Sequence, residues 1–232
     1  MRLDKYLAHC NVGSRKEVKG LIRKGRVCVD GQIIKNDDYQ IDELHASVFV
    51  DDEEIYYIKD VYFMMNKPSD VVSATFDHYD ETVIDLIEER YRKDCFPIGR
   101  LDKDSEGLLL ISNDGNLAHR LLSPKHHINK VYYVEHLNPL SKQDIETLCN
   151  GTIVIDDKVV LEAKYEKIND HACHFTIMEG RFHQVKRMFH AVSNEVLYLK
   201  RIAMGPIVLD ESLELGEYRF LTEEEINLLK AL

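Results

Sequence analysis

The chain has 232 residues, of which 44% are hydrophobic, and it carries a formal net charge of −11. This length accommodates one large domain, or a medium domain and a small one, and the apolar fraction is sufficient for a packed core. The sequence contains no apolar run long enough to cross a bilayer, and its first residues lack the apolar segment of a secretory signal. We therefore expect neither a membrane partner nor export.

The cysteines and histidines give little sign of a disulfide framework or a metal site. The five cysteines are scattered and never spaced C-x-x-C, which favours reduced thiols in the cytoplasm and argues against a zinc knuckle. His119, His126 and His127 lack regular ligand spacing to an acidic or cysteine partner. We expect no metal ion.

Charge is distributed unevenly along the chain. Residues 1–35 contain nine Lys or Arg residues and three acidic residues, a balance of +6, so the remainder carries −17. A basic head on an acidic body indicates that the head binds a polyanion, although a soluble surface alone explains the same charge equally well.

The first elements in chain order are two helices and a hairpin. A short helix is predicted at 2–9, and Ser14 with Glu17 forms a capping box that begins a second helix. Asp30-Gly31 between two apolar runs predicts a hairpin. Four cations lie on the polar side of the second helix, near its N-terminus, where phosphates are favoured: Arg15, Lys16, Lys19 and Arg23. Residues 36–60 are predicted to supply the last strands of this small domain and a linker.

Strands and helices alternate irregularly after residue 60. Strands are predicted at 62–67, 108–111, 130–134, 159–168, 174–177 and 195–201. Helices are predicted at 116–122, 141–149, 181–192 and 222–232, and segment 82–92 is amphipathic, with Val83, Leu86 and Ile87 inward. The order of elements and the lack of a Gly-rich phosphate loop favour an α+β fold with a mixed sheet over a parallel nucleotide-binding sheet.

Asp102 lies in a turn directly before the apolar run 108–111, which is bounded by Gly107 and Asn113-Asp114-Gly115. A carboxylate beside a rigid, buried strand can be directed at a substrate atom. Taken alone, however, an aspartate at such a position is more often a solvated turn residue or a cap.

Two sets of motifs resemble known families. The runs R-L-D-K-Y-L-A, G-S-R-K-E-V and I-R-x-G-R-V-x-V-D-G resemble an S4 RNA-binding domain. The runs N-K-P, G-R-L-D-x-D-x-x-G-L-L-L, S-P-K-H-H, K-x-Y, E-G-R-F-H-Q-V-K-R-M and G-E-Y-R-x-L-T-E-E-E resemble the RsuA/RluB/RluE/RluF family of ribosomal RNA pseudouridine synthases. Together the resemblances cover nearly the whole chain.

The resemblance implies a fold, domains and residue roles. The expected fold is α+β: a small S4 (αL-type) domain with its linker at 1–60, and a catalytic domain with a mixed, mostly antiparallel sheet flanked by helices at 61–232. Asp102 matches the catalytic aspartate, Tyr132 the tyrosine that packs on the target uracil, and Lys186 the basic residue that pairs with the aspartate. Arg100, Arg181 and Arg187 are predicted RNA contacts.

The resemblance also implies an activity and a partner. We expect the protein to convert a specific uridine of ribosomal RNA to pseudouridine without a cofactor. The S-P-K-H-H run indicates the RsuA branch and hence 16S rRNA, with a 23S rRNA enzyme of the same family as the alternative. The expected partner is ribosomal RNA or a pre-ribosomal particle, bound by a monomer. Two other functions stay open: a non-catalytic RNA-binding assembly factor, and an N-glycosidase-type hydrolase that uses the same carboxylate.

Overall fold

A computed structural model describes residues 1–10, 12–43, 45–56 and 60–232. The chain divides into two compact units, one formed by Met1–Asp60 with Glu89–Lys93 and the other by Val61–Glu88 with Asp94–Leu232. Residues 57–59, in the segment predicted to be a linker, lie outside the described residues. Segment 89–93 therefore belongs structurally to the N-terminal unit, although it interrupts the sequence of the larger one.

The N-terminal unit packs two helices on a small antiparallel sheet. Its strand order is β2-β1-β3-β4. Its elements are α1 (Leu3–His9), α2 (Arg15–Arg23), β1 (Val27–Val29), β2 (Gln32–Ile33), β3 (Val48–Val50) and β4 (Glu53–Glu54). The buried faces of all these elements except the short strands β2 and β4 contribute to one apolar core that includes Leu3, Leu7, Val18, Ile22, Val27 and Val48.

The local signals predicted for this unit are confirmed. Ser14 Oγ accepts from the Glu17 amide while the Glu17 carboxylate accepts from the Ser14 amide, which is the predicted capping box. Asp30 and Gly31 both have positive φ, of 49° and 79°, as a two-residue hairpin turn of this type requires.

The larger unit is built on a nine-stranded sheet. Its main strand order is β11-β12-β8-β13-β7-β5-β15, with β14 paired to β13 and β6 paired to β7. The strands are β5 (Tyr62–Lys67), β6 (Phe96–Ile98), β7 (Glu106–Ser112), β8 (Lys130–His136), β11 (Lys164–Asn169), β12 (Ala172–Ile177), β13 (Val196–Met204), β14 (Ile207–Val208) and β15 (Tyr218–Phe220). A separate hairpin pairs β9 (Val154–Ile155) with β10 (Lys158–Val159), and the helices are α3 (Gly115–Leu122), α4 (Lys142–Cys149), α5 (Gln184–Ala191) and α6 (Glu223–Lys230).

Every pairing in the main sheet is antiparallel except that of β13 with β7. The predicted α+β class with a mixed, mostly antiparallel sheet is therefore confirmed. Strand β7 is covered on both faces, since residues 108–111 are at most 1% exposed, which explains why its sequence is a continuous apolar run instead of an alternating one.

Three predicted elements differ from the structure. The amphipathic segment 82–92 forms turns and a 3-10 turn at Glu89–Tyr91, because its apolar period spans only five residues, too few to propagate a helix. Val83 and Ile87 are nevertheless buried. The predicted strand 159–168 is broken into the end of β10 and the separate strand β11.

The predicted helix 181–192 begins later, at Gln184. His183, which precedes it, has a left-handed backbone with φ of 51°, and the Gln184 side chain accepts a hydrogen bond from the Arg181 amide. These features turn residues 181–183 away from the helix and into a loop. Among the described residues, no helix is long and apolar enough to cross a membrane.

Candidate active site

A cavity of about 870 Å³ opens beside the centre of the main sheet in the larger unit. Its wall consists of the turn 99–102 before β7, the start of β8, the loop 178–184 before α5, and β13. Asp102, Tyr132, Arg100 and Arg181 all line it, so the structure brings four of the sequence-predicted residues to one hollow.

The backbone around Asp102 is fixed from both sides. On one side, Ser73 Oγ donates to the Leu101 carbonyl at 2.8 Å and accepts from the Leu101 amide at 3.0 Å. On the other side, the Ser105 amide donates to the Asp102 carbonyl at 3.0 Å and closes a turn. The Asp102 side chain is 23% exposed, and therefore is neither in bulk solvent nor sealed from the cavity.

Lys67, from the N-K-P motif, supports the same turn from within the protein. Its ammonium is fully buried and donates to the carbonyls of Pro68, Lys103 and Ser105 at 2.8, 3.2 and 2.9 Å. Burial lowers the pKa of Lys67 to about 8, against the attraction of nearby acidic groups. The lysine thus connects the end of β5 to the loop that carries the candidate catalytic carboxylate.

Two basic side chains face Asp102 from α5 and the residue that precedes it. Lys186 Nζ lies 3.6 Å from Asp102 Oδ2, and His183 Nε2 lies 3.6 Å from Asp102 Oδ1. Lys186 also donates to Asp104 Oδ1 at 2.5 Å, and this hydrogen bond is the main cause of the lowered pKa of Asp104. The lysine is therefore shared between two carboxylates, and its shorter contact is with Asp104.

Aromatic side chains occupy two positions around the cavity. Tyr132 is only 6% exposed and projects from β8 on the cavity side of the sheet. Phe182 lies at the cavity wall with 66% of its side chain exposed, and its ring stacks on His183 with centroids 3.8 Å apart and planes 19° apart. The ring of Tyr132 is thus buried in the cavity wall, while the stacked rings of Phe182 and His183 are open to the surface.

Arg181 and Arg187, predicted as RNA contacts, make contacts within the protein. Arg181 Nη1 donates to the carbonyls of Ile155 and Lys158 at 2.8 and 2.7 Å. Arg187 forms a two-point ion pair with Asp156 at 2.8 and 3.0 Å. Both guanidinium groups hold the β9–β10 hairpin beside α5, and their contact with RNA stays a prediction.

Sequence reasoning assigned no role to two basic residues in the cavity wall, Lys130 and Arg201. Lys130 begins the strand that contains Tyr132, and Arg201 pairs with Tyr132 across β8 and β13. The one signal in the sequence is the spacing of Lys130 two residues before Tyr132, which puts both on the same face of a strand. The described residues contain no group of three or more His, Cys, Asp or Glu side chains that could hold a metal ion.

The N-terminal unit presents a second candidate surface on α2. Arg15 and Lys16 are exposed and make no ion pair within the described residues. Arg23 pairs with Asp37 at 2.8 Å, and Lys19 lies 3.7 and 3.8 Å from Asp4 and Asp37. The predicted basic face is therefore divided into two unpaired cations and two that are partly neutralised.

Comparisons with known proteins agree with this arrangement. A family model described as RNA pseudouridylate synthase matches residues 61–191, and an S4 domain model matches residues 1–43. An uncharacterized RNA pseudouridine synthase of Bacillus subtilis is 49% identical over 234 residues, covering 99% of this chain and 98% of the relative. Ribosomal small subunit pseudouridine synthase A of Haemophilus influenzae is 39% identical and covers 99% of both chains.

A solved structure gives the same result at the level of the fold. A crystal structure of a pseudouridylate synthase is 37% identical, covers 99% of each chain and superposes with a TM-score of 0.71. These matches extend over the whole chain and include both units. The chain therefore belongs to the RNA pseudouridylate synthase family, within the S4-containing RsuA group that its motifs indicated.

Proposed function

We propose that this enzyme converts one uridine of ribosomal RNA, in the 16S molecule, to pseudouridine, with Asp102 as the catalytic carboxylate and no cofactor. The observation that carries this proposal is the position of Asp102, which lies in a cavity lined by Tyr132, with Lys186 and His183 each 3.6 Å from its carboxylate. The choice of 16S RNA is supported by the small-subunit name of the Haemophilus relative.

The chemistry follows from the charges that the reaction creates. Breaking the N1–C1′ bond of uridine builds positive charge on the ribose, and a carboxylate beside C1′ stabilises it, as in glycoside cleavage. The ammonium of Lys186 compensates the charge of Asp102 before substrate enters. The ring of Tyr132 provides an apolar surface that retains the detached uracil while it turns to present C5.

The target base has to leave its stack before it can reach this cavity. Arg100 is exposed at the cavity wall and supplies a cation that can occupy the space vacated in the RNA. We propose residues 1–60 as the RNA-binding domain with its linker and residues 61–232 as the catalytic domain, acting as a monomer on ribosomal RNA or a pre-ribosomal particle. The scattered cysteines favour the cytoplasm as its location.

The decisive test is Asp102→Asn, which retains the size of the side chain and removes its charge. We expect pseudouridine formation in 16S rRNA to fall on the order of 10³-fold or more while RNA affinity is retained. Asp52→Asn is the matched control, because it removes the same charge from an exposed turn of the N-terminal unit and should leave the rate unchanged. Normal turnover by Asp102→Asn would refute the assignment.

The same assay separates the alternative functions. A hydrolase would release free uracil and leave an abasic site, whereas a synthase leaves the RNA chain intact and isomerised. A non-catalytic assembly factor would bind RNA without either product. Mapping pseudouridines in 16S and 23S rRNA from cells that lack this protein identifies the modified uridine and separates the two ribosomal targets.

A further inference from the structure

We propose that Lys130 and Arg201 form a cationic floor that stabilises the negative charge of the uracil ring after the N1–C1′ bond breaks. This inference rests on the proposed function and adds to it a second charged pole, on the opposite side of the bond from Asp102. Lys130 would be a catalytic residue that touches the base, and Arg201 a buried cation that reinforces the same electrostatic field.

The sheet register brings these cations to the aromatic wall. Lys130 and Tyr132 are two residues apart on β8, so their side chains leave the same face of the sheet. Arg201 on β13 lies directly opposite Tyr132, which puts it on that face as well. All three residues line the cavity. A uracil packed on Tyr132 is therefore adjacent to both basic side chains.

A buried arginine at position 201 lowers the stability of the protein unless its charge has a functional role. Its side chain is 1% exposed, and Nε donates to the Leu108 carbonyl at 2.7 Å. Its Nη2 has no hydrogen-bond partner among the described residues. A buried cation with an unpaired donor lowers stability, and active sites are where such a penalty is retained.

Lys130 Nζ likewise has one hydrogen-bond partner among the residues that the structure describes. Its ammonium donates to the Ile128 carbonyl at 3.0 Å, which uses one of its three protons. Burial lowers the pKa of Lys130 to about 8. The charge of Arg201 also lowers this pKa, while the charge of Glu179 raises it. Both cations therefore lie in a setting where an added negative charge would be attracted strongly.

The charge separation in the reaction is stabilised by such a group. When the N1–C1′ bond breaks heterolytically, the electron pair stays on N1 and spreads over the ring oxygens, while C1′ becomes electron-deficient beside Asp102. No proton moves in this step. The ring then rotates, C5 bonds to C1′, and the proton that leaves C5 is balanced by one gained at N1. Lys130 and Arg201 stabilise the ring while it carries the excess electron pair.

Binding of free bases tests the floor without requiring turnover. The probes are uracil and 5-nitrouracil. The ring of 5-nitrouracil, unlike that of uracil, is ionised at neutral pH. We expect the wild-type protein to bind 5-nitrouracil more tightly, Lys130→Met to lose about ten- to a hundredfold of that preference, and Lys130→Arg to retain it. Lys142→Met, on the exposed start of α4, is the matched control and should behave as wild type. An unchanged preference in Lys130→Met would overturn the proposal.

The pH dependence of single-turnover pseudouridine formation gives a second readout. The wild-type rate should fall as pH rises through about 8, where Lys130 loses its charge. Lys130→Arg should show a smaller fall up to about pH 9, because arginine stays protonated while Lys67, whose pKa burial also lowers to about 8, still loses its charge. Lys130→Met should be slow throughout. The other charged groups that line the cavity are Arg100, Asp102, Lys158, Glu179, Arg181 and His183.

The two proposals fail in different ways. If the wild-type protein forms no pseudouridine, the proposed function is wrong, whatever the base-binding result. If the wild type is active and Lys130→Met has the same rate and the same alkaline fall, the cationic floor is wrong and the function stands. Thermal unfolding of each variant identifies any loss of rate that arises from loss of the fold.

Discussion

Gly107 lacks a side chain at the point where β7, the strand after the Asp102 turn, meets β13. Its backbone has a φ of 99°, and a Cβ built on it would lie 2.3 Å from the Arg201 carbonyl oxygen and 2.9 Å from the Arg201 amide nitrogen. Both clashes are with backbone, which cannot rotate away as a side chain can. The parallel pairing of β7 with β13, where Gly107 faces Arg201, therefore depends on glycine.

We expect Gly107→Ala to lower the free energy of unfolding by about 2–4 kcal/mol and to impair catalysis, because β7 must shift and Asp102 is attached to its start. Urea unfolding followed by circular dichroism measures the first effect. Gly115→Ala is the control, since a Cβ there meets no atom within 4 Å and the residue begins α3. A Gly107→Ala protein as stable as this control would show that β13 can move without cost.

At the scale of elements, the turn between β6 and β7 is held by a lysine from a neighbouring strand. Lys67 connects three carbonyls of two loops, so we expect Lys67→Met to remove one donor from each of them, to destabilise the protein by about 2 kcal/mol and to slow pseudouridine formation at least about tenfold. The measurements are urea unfolding and single-turnover rate.

Lys103→Met provides the control for this prediction on the same turn. The Lys103 side chain is 46% exposed and pairs with Asp80 on the surface, where ion pairs contribute little to stability. Equal effects of the two substitutions would mean that any charge lost from this turn disturbs Asp102, and that the buried position of Lys67 has no special role.

Elements that depend on neighbouring residues were predictable from the sequence. The capping box at Ser14 and the Asp30-Gly31 turn formed as expected, because their hydrogen bonds join residues within a few positions. The late start of α5 depends on the left-handed backbone of His183. The burial of Lys67 joins β5 to residues 36 and 38 positions away, and no local pattern indicates that contact.

In the candidate site, too, the residues that lie in sequence motifs were predicted, and those related only through contacts between distant segments were missed. The motifs singled out Asp102, Tyr132 and Lys186, and the structure brings Asp102 within 3.6 Å of Lys186. Lys130 and Arg201 were missed because their relation to Tyr132 follows from strand register between β8 and β13, which are about 70 residues apart in sequence. The internal contacts of Arg181 and Arg187 were equally beyond sequence reasoning, since β9 and β10 come from a distant segment.

For the whole molecule, the central electrostatic question is how a protein of charge −11 engages RNA. The +6 balance of residues 1–35 is a local exception, and on α2 only Arg15 and Lys16 are exposed without an ion pair among the described residues. Because they are unpaired, these cations can meet phosphates without first breaking an internal contact. Lys19 and Arg23 would have to give up part of their attraction to Asp37.

We therefore expect the double substitution Arg15→Gln and Lys16→Gln to weaken rRNA binding and to reduce the slope of log K against log salt by about 1.4–1.8, since each lost phosphate contact removes about 0.7–0.9. Lys142→Gln with Lys164→Gln removes the same two charges from exposed positions of the larger unit and should leave the slope unchanged. Fluorescence anisotropy with an rRNA fragment at several salt concentrations measures both. If the two double variants lose equal affinity and equal slope, net charge alone governs binding, and the basic head has no separate role.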